Sequence, residues 1–362
     1  MALEIIRLGP DDLAREQCSL ASDTSGLAFS LFEAALLQPD HPFLRYGSWC
    51  AFFATRCGRP VARLVASVDL RQCAGGRPVG AIGFPADVDD PEALSQALYA
   101  AVGWLRQIGT PVVRCPIQLS TWFGHRAVTR GFQDEDGAPT FLLEPSNPRR
   151  LVEVLQRSGF VVAHRAVSHL IDNDLAIAGT QHGLDRMRAA GYRDRSLNLA
   201  ALEGELALLH QLASAIFRDN WGYADISPAE FAAFYKPFAQ LVDPELVRIA
   251  ENADGEAVGF VLAIPAGAGR QRADGPASGT PAHSAATGFL LKSIGIIPET
   301  RRRCPKLGSA LVAIVHSLAQ RRGYGYGIHA LMAEGSYAQR TSARWGSTLR
   351  SYATFERTVD ER

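Results

Sequence analysis

A strand that stops at a proline and runs through a basic loop into a helix offers an anion unpartnered backbone N–H groups and the positive end of a helix dipole. The stretch Gly295-Ile-Ile-Pro-Glu-Thr-Arg-Arg-Arg-Cys-Pro-Lys-Leu-Gly308-Ser-Ala-Leu311 has that order. Arg301, Arg302, Arg303 and Lys306 concentrate positive charge there, which suits a pyrophosphate. A solvated basic turn with an ordinary helix cap is the other reading of the same residues. Metal chemistry has no comparable signal. Cys18, Cys50, Cys57, Cys73, Cys115 and Cys304 form no C-x-x-C pair and have no histidine at zinc-ligand spacing, so they read as reduced, mostly buried thiols.

The elements that must position this loop recur along the chain. Asp90 to Ile108 predicts a helix, with Asp89 or Asp90 as cap, Pro91 in the first turn and apolar residues at three-four spacing until Gly109. Residues 50–55, 61–69 and 79–84 read as three strands ahead of it. A strand over 110–117, a helix from Ser120 to Gly131 and a strand from Thr140 to Leu143 read as following it. The second half repeats the order: strands over 246–250, 257–264 and 289–297, a helix over 307–322, a strand over 326–332, a helix from Ser336 and a strand over 348–357. Gly109 and Gly323, Ser120 and Ser336, and Gly131 and Gly346 lie 214, 216 and 215 residues apart, a near-constant offset that predicts two copies of one fold. A helix and strand within 147–171 extend the first copy, and 172–191 reads as a connecting helix. The domains are thus expected at 1–175 and 176–362. Between 266 and 287, 17 of 22 residues are Ala, Gly, Pro, Ser or Thr, which predicts an insertion between two strands, either a plain mobile loop or a lid.

With 362 residues, 47% of them apolar, the chain has enough material for a large core, and two domains are the natural count. Basic and acidic residues both number 37, so no global field draws nucleic acid or an anionic membrane, and neither partner is expected. No window reaches the apolar length of a membrane span, and Met1 to Arg7 has neither a basic cluster nor an apolar run; a cytoplasmic location is the expectation.

The chain resembles the GNAT acyltransferase superfamily over nearly its whole length, specifically bacterial tandem proteins with two such folds in one chain. Its strongest stretch is Leu291 to Glu299, continuing through Leu307 to Leu311, Ile328 to Met332, Glu334-Gly335 and Thr341 to Ala343. The resemblance implies an α/β fold: two tandem GNAT-like units with mixed, mostly antiparallel central sheets flanked by helices. It implies acetyl-CoA or another acyl-CoA as cosubstrate and no metal. The loop that wraps the pyrophosphate would be Arg303-x-x-Lys306-x-Gly308, with Arg302, Leu307 and Ser309 beside it, and Ile294, Ile296 and Ile297 would form the edge that holds the pantetheine arm. Lys306 stands where a glycine is usual, Pro305 brings no N–H, and the interval from Pro298 to Gly308 is two residues longer than typical. A donor presented by an acyl carrier protein is therefore an alternative to free acyl-CoA. The matching loop of the first copy, Phe84 to Pro91, carries three carboxylates and no arginine, so the first copy is expected to be degenerate as a donor site.

Acylating an amine needs a base for the ammonium proton and an acid for the departing thiolate. By resemblance the base candidate is Glu334, just past a strand end, although a helix-capping role ahead of Ser336 fits it as well. His329, inside the same strand, is a second candidate or a core histidine. The usual acid, a tyrosine after the fifth strand, falls near Ser342 or Ala343 here; Tyr337, one turn earlier, is either its substitute or a packing residue. Asn220, Trp221 and Tyr223 lie where such proteins place acceptor-binding residues. The expected function is N-acyl transfer, most simply N-acetyl transfer, from acyl-CoA to a small-molecule amine. A catalytically inactive tandem protein that binds a ligand or partner is the remaining alternative.

Overall fold

Local sequence accounts for most of the elements. The computed structural model describes residues 3–20, 27–132, 141–267 and 287–359, with backbone alone at 16–20. In chain order they are β1 (Leu3–Leu8), α1 (Pro10–Leu20), α2 (Leu31–Leu36), β2 (Gly47–Arg56), β3 (Arg59–Ala74), β4 (Arg77–Asp87), α3 (Pro91–Ile108), β5 (Val112–Cys115), β6 (Ala127–Arg130), α4 (Leu151–Arg157), β7 (Val161–Asp172) and α5 (Asn173–Ala189). The second half adds β8 (Arg193–Ser196), α6 (Leu202–Phe217), α7 (Pro228–Tyr235), β9 (Val247–Glu251), β10 (Ala257–Pro265), β11 (Gly288–Ile296), α8 (Pro298–Arg303), α9 (Leu307–Arg321), β12 (Tyr326–Ala333), α10 (Tyr337–Ser342) and β13 (Gly346–Thr358). Asp90 caps α3 by accepting from the Ala93 N–H, and Gly109 ends it at φ +87, where a side chain would be strained. Asp172 caps α5 in the same way, through the Leu175 N–H.

All thirteen strands join one sheet, in the order β1-β2-β3-β4-β5-β13-β7-β12-β11-β10-β9-β8, with β6 also against β13. Among the described residues only β4–β5 and β11–β12 run parallel. The last strand of the chain therefore lies in the middle: β13 pairs with β5 and β6 on one edge and with β7 on the other. In turn β7, from the first half, pairs with β12 of the second. The sheet is continuous across the chain's midpoint.

Strand residues alternate between faces. Phe52 and Ala54 of β2 join a core cluster under α3 and α4, while Ala51 and Phe53 join another that reaches into both halves, with Phe231 of α7 and Phe260 of β10. In β10 and β11, Val261, Phe289 and Leu291 pack against Leu307 and Leu311 of α9. No helix among the described residues is long and apolar enough to cross a membrane.

Three local expectations fail. Residues 120–131 form no helix. Ser120 Oγ accepts from the Trp122 N–H, two residues on and a turn contact, Gly124 and Arg126 take positive φ, and 127–130 is drawn into a strand by the edge of β13. Residues 141–143 form no strand: Phe141 and Leu142 pack as loop anchors on the cluster around Leu290 and Ile328, and Leu143 has positive φ. Thr140 and residues 268–286, most of the low-complexity insertion, lie outside the described residues. The thiols are also less buried than expected: Cys115 and Cys304 are buried, Cys50 is partly so, and Cys57 and Cys73 are exposed.

Because β13 and β7 interleave at the sheet's centre, residues 1–175 expressed alone should be insoluble or unfolded, and co-expression with 176–362 should recover a folded complex. The full chain should unfold in one transition in urea. Two separate transitions, or a folded 1–175 fragment by circular dichroism, would contradict the interleaving.

Candidate active site

In the second half, β11 and β12 stay paired only from Gly288↔Tyr326 to Leu291↔His329 and then part. Beyond that point β12 follows β7, with Leu331 at φ +57 donating its N–H to Ser168 Oγ at 3.1 Å. β11 follows β10, with Ile294↔Val261 and Ile296↔Gly259. The wedge between them leaves one edge of β11 without a strand partner, the arrangement that lets an extended arm add hydrogen bonds to a sheet. Ile294 and Ile296 lie on that edge. Ile297 is just past it and donates its N–H to Val258 O.

The longer interval between β11 and α9 holds the short helix α8. Arg301, Arg302 and Arg303 on it are exposed, and Arg303 pairs with Glu299 at 2.7 Å. Lys306 is exposed at the N-cap of α9 and makes no side-chain cap. The Leu307 N–H is taken by Cys304 O, but those of Gly308 and Ser309 reach no backbone carbonyl among the described residues. At Gly308 the space outside is open. The far flank is covered by α5, whose Gly183 comes so close that a Cβ would lie 2.9 Å from Ser309 Cβ.

The first half has no such opening. Ile117 folds back and donates its N–H to Ile82 O at 2.8 Å, and a Cβ at Gly83 would strike Ile117 O. Its acidic loop is tied down within the half: Asp90 by Arg56, and Asp87 and Asp89 by Arg150.

On one side of the wedge an apolar cavity of about 80 Å³ runs between the halves. One face of α6 (Leu202, Leu206, Leu209, Ala213, Phe217) lines it, with Trp122 from the first half and Lys292 and Ser293 of β11 opposite. Lys292 is partly buried, and burial with the nearby Arg126 charge lowers its ammonium to about 8. Tyr235, on the cavity wall, is pushed up to about 12 by burial.

Beside Lys292 sits a group that sequence reasoning missed. His164 stacks on Trp221 at 5.0 Å, His125 lies 6.2 Å from the same ring, and the Arg114 guanidinium lies 4.7 Å from its centre. Burial first, then Arg126, keeps both imidazoles below their ordinary value, His125 well below. Arg126, held at φ +90, is lowered to about 10 by burial, and its Nε–H has no acceptor among the described residues. Glu144 accepts from Arg350 Nη1 at 2.7 Å and from Tyr352 Oη at 3.0 Å, and burial raises its carboxyl. The expected helix over 120–131 hid His125 and Arg126. Lys292 had a signal: with Lys236 and Lys306 it makes up all the lysine in a chain with 37 basic residues.

The sequence candidates separate. Trp221 joins the histidine stack. Tyr223 is next to it, bonded to Asp225 and edge-on to Trp122, and Asn220 is exposed. Glu334 lies on an open depression with His164 and Arg165, 55% exposed and 4.0 Å from Arg165. Tyr337 is 61% exposed. His329 is buried in a hydrogen-bonded chain: Asn173 Nδ2 donates to Tyr324 O, so its Oδ1 accepts from His316 Nδ1; His316 Nε2 then accepts from His329 Nε2, and His329 Nδ1 accepts from Ser342 Oγ. That chain is satisfied with both rings neutral. Among the described residues no three His, Cys, Asp or Glu side chains converge as a metal site.

No family model matches the chain. A 234-residue stretch, 64% of the chain, is 29% identical to the bacterial ceramide synthase of Caulobacter vibrioides and covers 60% of that protein. A comparable stretch is 23% identical to protein YghO of Escherichia coli and covers 58% of it. The match thus spans about three fifths of each relative's length. Among solved structures, the tandem GNAT protein from the clavulanic acid biosynthesis pathway aligns over 100% of both chains at TM-score 0.52 and 12% identity. The GCN5-related N-acetyltransferase from Anabaena variabilis aligns over 99% of this chain and 73% of its own at TM-score 0.55 and 10% identity. The chain has the tandem GNAT fold.

The histidine chain makes stability acid-sensitive. Burial holds His316 at about 3 and His329 well below its ordinary value, whereas both titrate near 6.5 once unfolded. Below about pH 6.5 the unfolded state takes up protons that the folded state refuses, so stability falls as pH drops toward 3. His329→Gln should flatten the slope of unfolding free energy between pH 6 and 4.5 by about 1 kcal/mol per pH unit, as read by urea titrations. An unchanged slope would mean the rings are protonated in the fold.

Proposed function

We propose that this tandem GNAT protein is an N-acyltransferase that moves an acyl group from a thioester to the amine of a substrate with an aliphatic chain. The observation that carries the reading is the apolar cavity that ends on Lys292 and Ser293 where β11 and β12 part. It brings a greasy tunnel, an amine-bearing side chain and the free strand edge to one point. The likeness to a ceramide synthase supports the same chemistry, since a ceramide is the amide of a long-chain amino alcohol with a fatty acid. In this reading Ile294 and Ile296 hold the extended arm of the donor, and Arg302, Arg303, Lys306 and the N–H groups of Gly308 and Ser309 hold its phosphates. Asn220, Trp221 and Tyr223 line the acceptor's approach.

At about 80 Å³ the cavity holds only a few methylene groups as it stands. Leu202, Leu206 and Leu209 are not β-branched and can change rotamer to lengthen it. Each methylene taken from water contributes about 0.8 kcal/mol, so chain length should govern affinity. Leu209→Trp should raise KM for a sixteen-carbon acyl-CoA or long-chain amine by about tenfold or more and leave a short-chain pair nearly unaffected. Equal effects on both would remove the cavity from the reading.

The exposed arginines of α8 support a second source for the donor. Arg301 and Arg302 have no ion pair among the described residues, so this turn can dock an acidic acyl carrier protein as readily as it can hold CoA. Replacing Arg303 and Lys306 together by alanine should weaken donor binding by about 10- to 100-fold, roughly one to two charge-assisted contacts, without changing the melting temperature. Calorimetry with acyl-CoA and with acyl carrier protein identifies which donor loses affinity. Unchanged affinity for both would place the donor elsewhere.

A further inference from the structure

We propose that Lys292 is the group that takes the proton from the acceptor ammonium, an assignment that rests on the acyl-transfer reading above. Leu262 pairs with Ser293 and Ala263 with Leu291, so Lys292 is the extra residue of a β-bulge, skipped by β10. It also stands one residue beyond the last pair with β12. Bulges re-aim side chains next to active sites, and this one turns Lys292 into the cavity at the mouth of the wedge.

Its surroundings disfavour charge. Lys292 makes no hydrogen bond or ion pair among the described residues, and most of the cavity wall is apolar. The ionisable groups around it come from several elements. His125 and Arg126 lie in the 117–126 segment, Glu144 in the following loop, Arg350 and Tyr352 on β13, and Tyr235 on α7. Arg126 opposes a second positive charge. Glu144 favours one, but Arg350 and Tyr352 already engage it. A lysine lowered to about 8 is a workable base near neutral pH. The other lysines, Lys236 and Lys306, are not in the cavity. Lys236 pairs with Glu203, and Lys306 is exposed at the donor turn. Glu334, the carboxylate expected for this task, lies on the open depression against Arg165 and does not line the cavity.

The step balances without a further reagent. Neutral Lys292 Nζ takes a proton from the acceptor's R–NH3+. The freed amine attacks the thioester carbonyl carbon, the C–N bond forms and the carbonyl electron pair moves to oxygen. On collapse the C–S bond breaks, the sulfur leaves with its electron pair and receives a proton from the Lys292 ammonium. The surplus proton on nitrogen goes to solvent, one per turnover.

Two measurements test this. Competitive labelling with 1-fluoro-2,4-dinitrobenzene from pH 6 to 11, read by mass spectrometry at all three lysines, needs no turnover. Lys292 should reach half-reaction near pH 8. In acyl transfer from palmitoyl-CoA to a long-chain amine, Lys292→Met and Lys292→Arg should both lower kcat by about 10²- to 10⁴-fold, with donor KM within about threefold. Lys292→Cys alkylated with 2-bromoethylamine should regain rate. An electrostatic role would survive in Lys292→Arg; a base cannot, because arginine keeps its proton. Half-reaction of Lys292 near the ordinary lysine value of about 10.4, or turnover retained in Lys292→Met or Lys292→Arg, would overturn the role and leave the acyl-transfer reading standing. A folded wild type without turnover on acyl-CoA or acyl carrier protein would overturn that reading and the role with it, whatever the labelling shows.

Discussion

A strand from the end of the chain, β13, is hydrogen-bonded to β5 and β6 on one edge and to β7 on the other, while β7 continues the sheet into β12. The wedge between β11 and β12 exists only because β12 has β7 to follow when it leaves β11. The loop bearing His125 and Arg126 is fixed because β6 adds to β13, and Glu144 is fixed because β13 brings it Arg350 and Tyr352. The wedge and the charged groups around Lys292 thus depend on pairings between parts of the chain far apart in sequence. Arg350 and Glu144 are both almost completely buried, and removing one member of such a pair costs about 3–5 kcal/mol, so the lock is electrostatic as well as hydrogen-bonded.

Burial also sets the charge of the site. Burial holds the imidazoles of His125 and His164 below their ordinary value and lowers Lys292 to about 8, while Arg126 is lowered yet stays charged because guanidinium starts so high. Fixed guanidinium charge from Arg126 and Arg114 among neutral bases, beside an apolar cavity, suits a reaction in which negative charge develops on a carbonyl oxygen and a proton must be accepted nearby. The left-handed backbone at Arg126 is strain of the kind that persists where surrounding contacts over-determine it, and such strain clusters at functional sites.

The sequence revealed elements more readily than their partners. Period and punctuation located α3, α5, α9 and the strands on either side of them, because caps such as Asp90 and Asp172 and stops such as Gly109 act over four residues. The basic turn before α9 was legible for the same reason. What pairs with what was not: the offset between Gly131 and Gly346 marked a repeat, but nothing local says that β13 crosses to the first half. That crossing also overturned the helix expected over 120–131, since the edge of β13 supplies partners that helical propensity cannot anticipate. Trp221 was reached through resemblance, whereas His164, stacked on it, comes from β7 on the other side of the exchange. Glu334 and His329 were placed by position along β12 alone. The period of two sends His329 to the face packed on α9 and leaves the cavity face to Ile328 and Ala330.

The two halves differ in whether the space beyond the parting of their parallel strands stays open. Each carries an irregularity just beyond the point where its parallel strands part, at Phe84 in β4 and at Lys292 in β11. In the first half the space is taken. Ile117 closes the wedge, and the buried Arg63 donates to the carbonyls of Leu27, Ala28 and Phe84. A guanidinium bound to three backbone carbonyls is a rigid plug, costly to remove because each carbonyl would be left unpaired in the interior. Phe84 then packs with Phe123, Phe231 and Phe260 in the cluster that joins the halves. The closed copy therefore supplies one wall of the open copy's cavity. Its Trp122 faces Phe217 and Phe231 at 6.3 and 6.1 Å, so the first half is structural material for the cavity. A single second-half GNAT unit would lack the walls formed by Trp122, Leu142 and Leu143, and its cavity would open to water along that side.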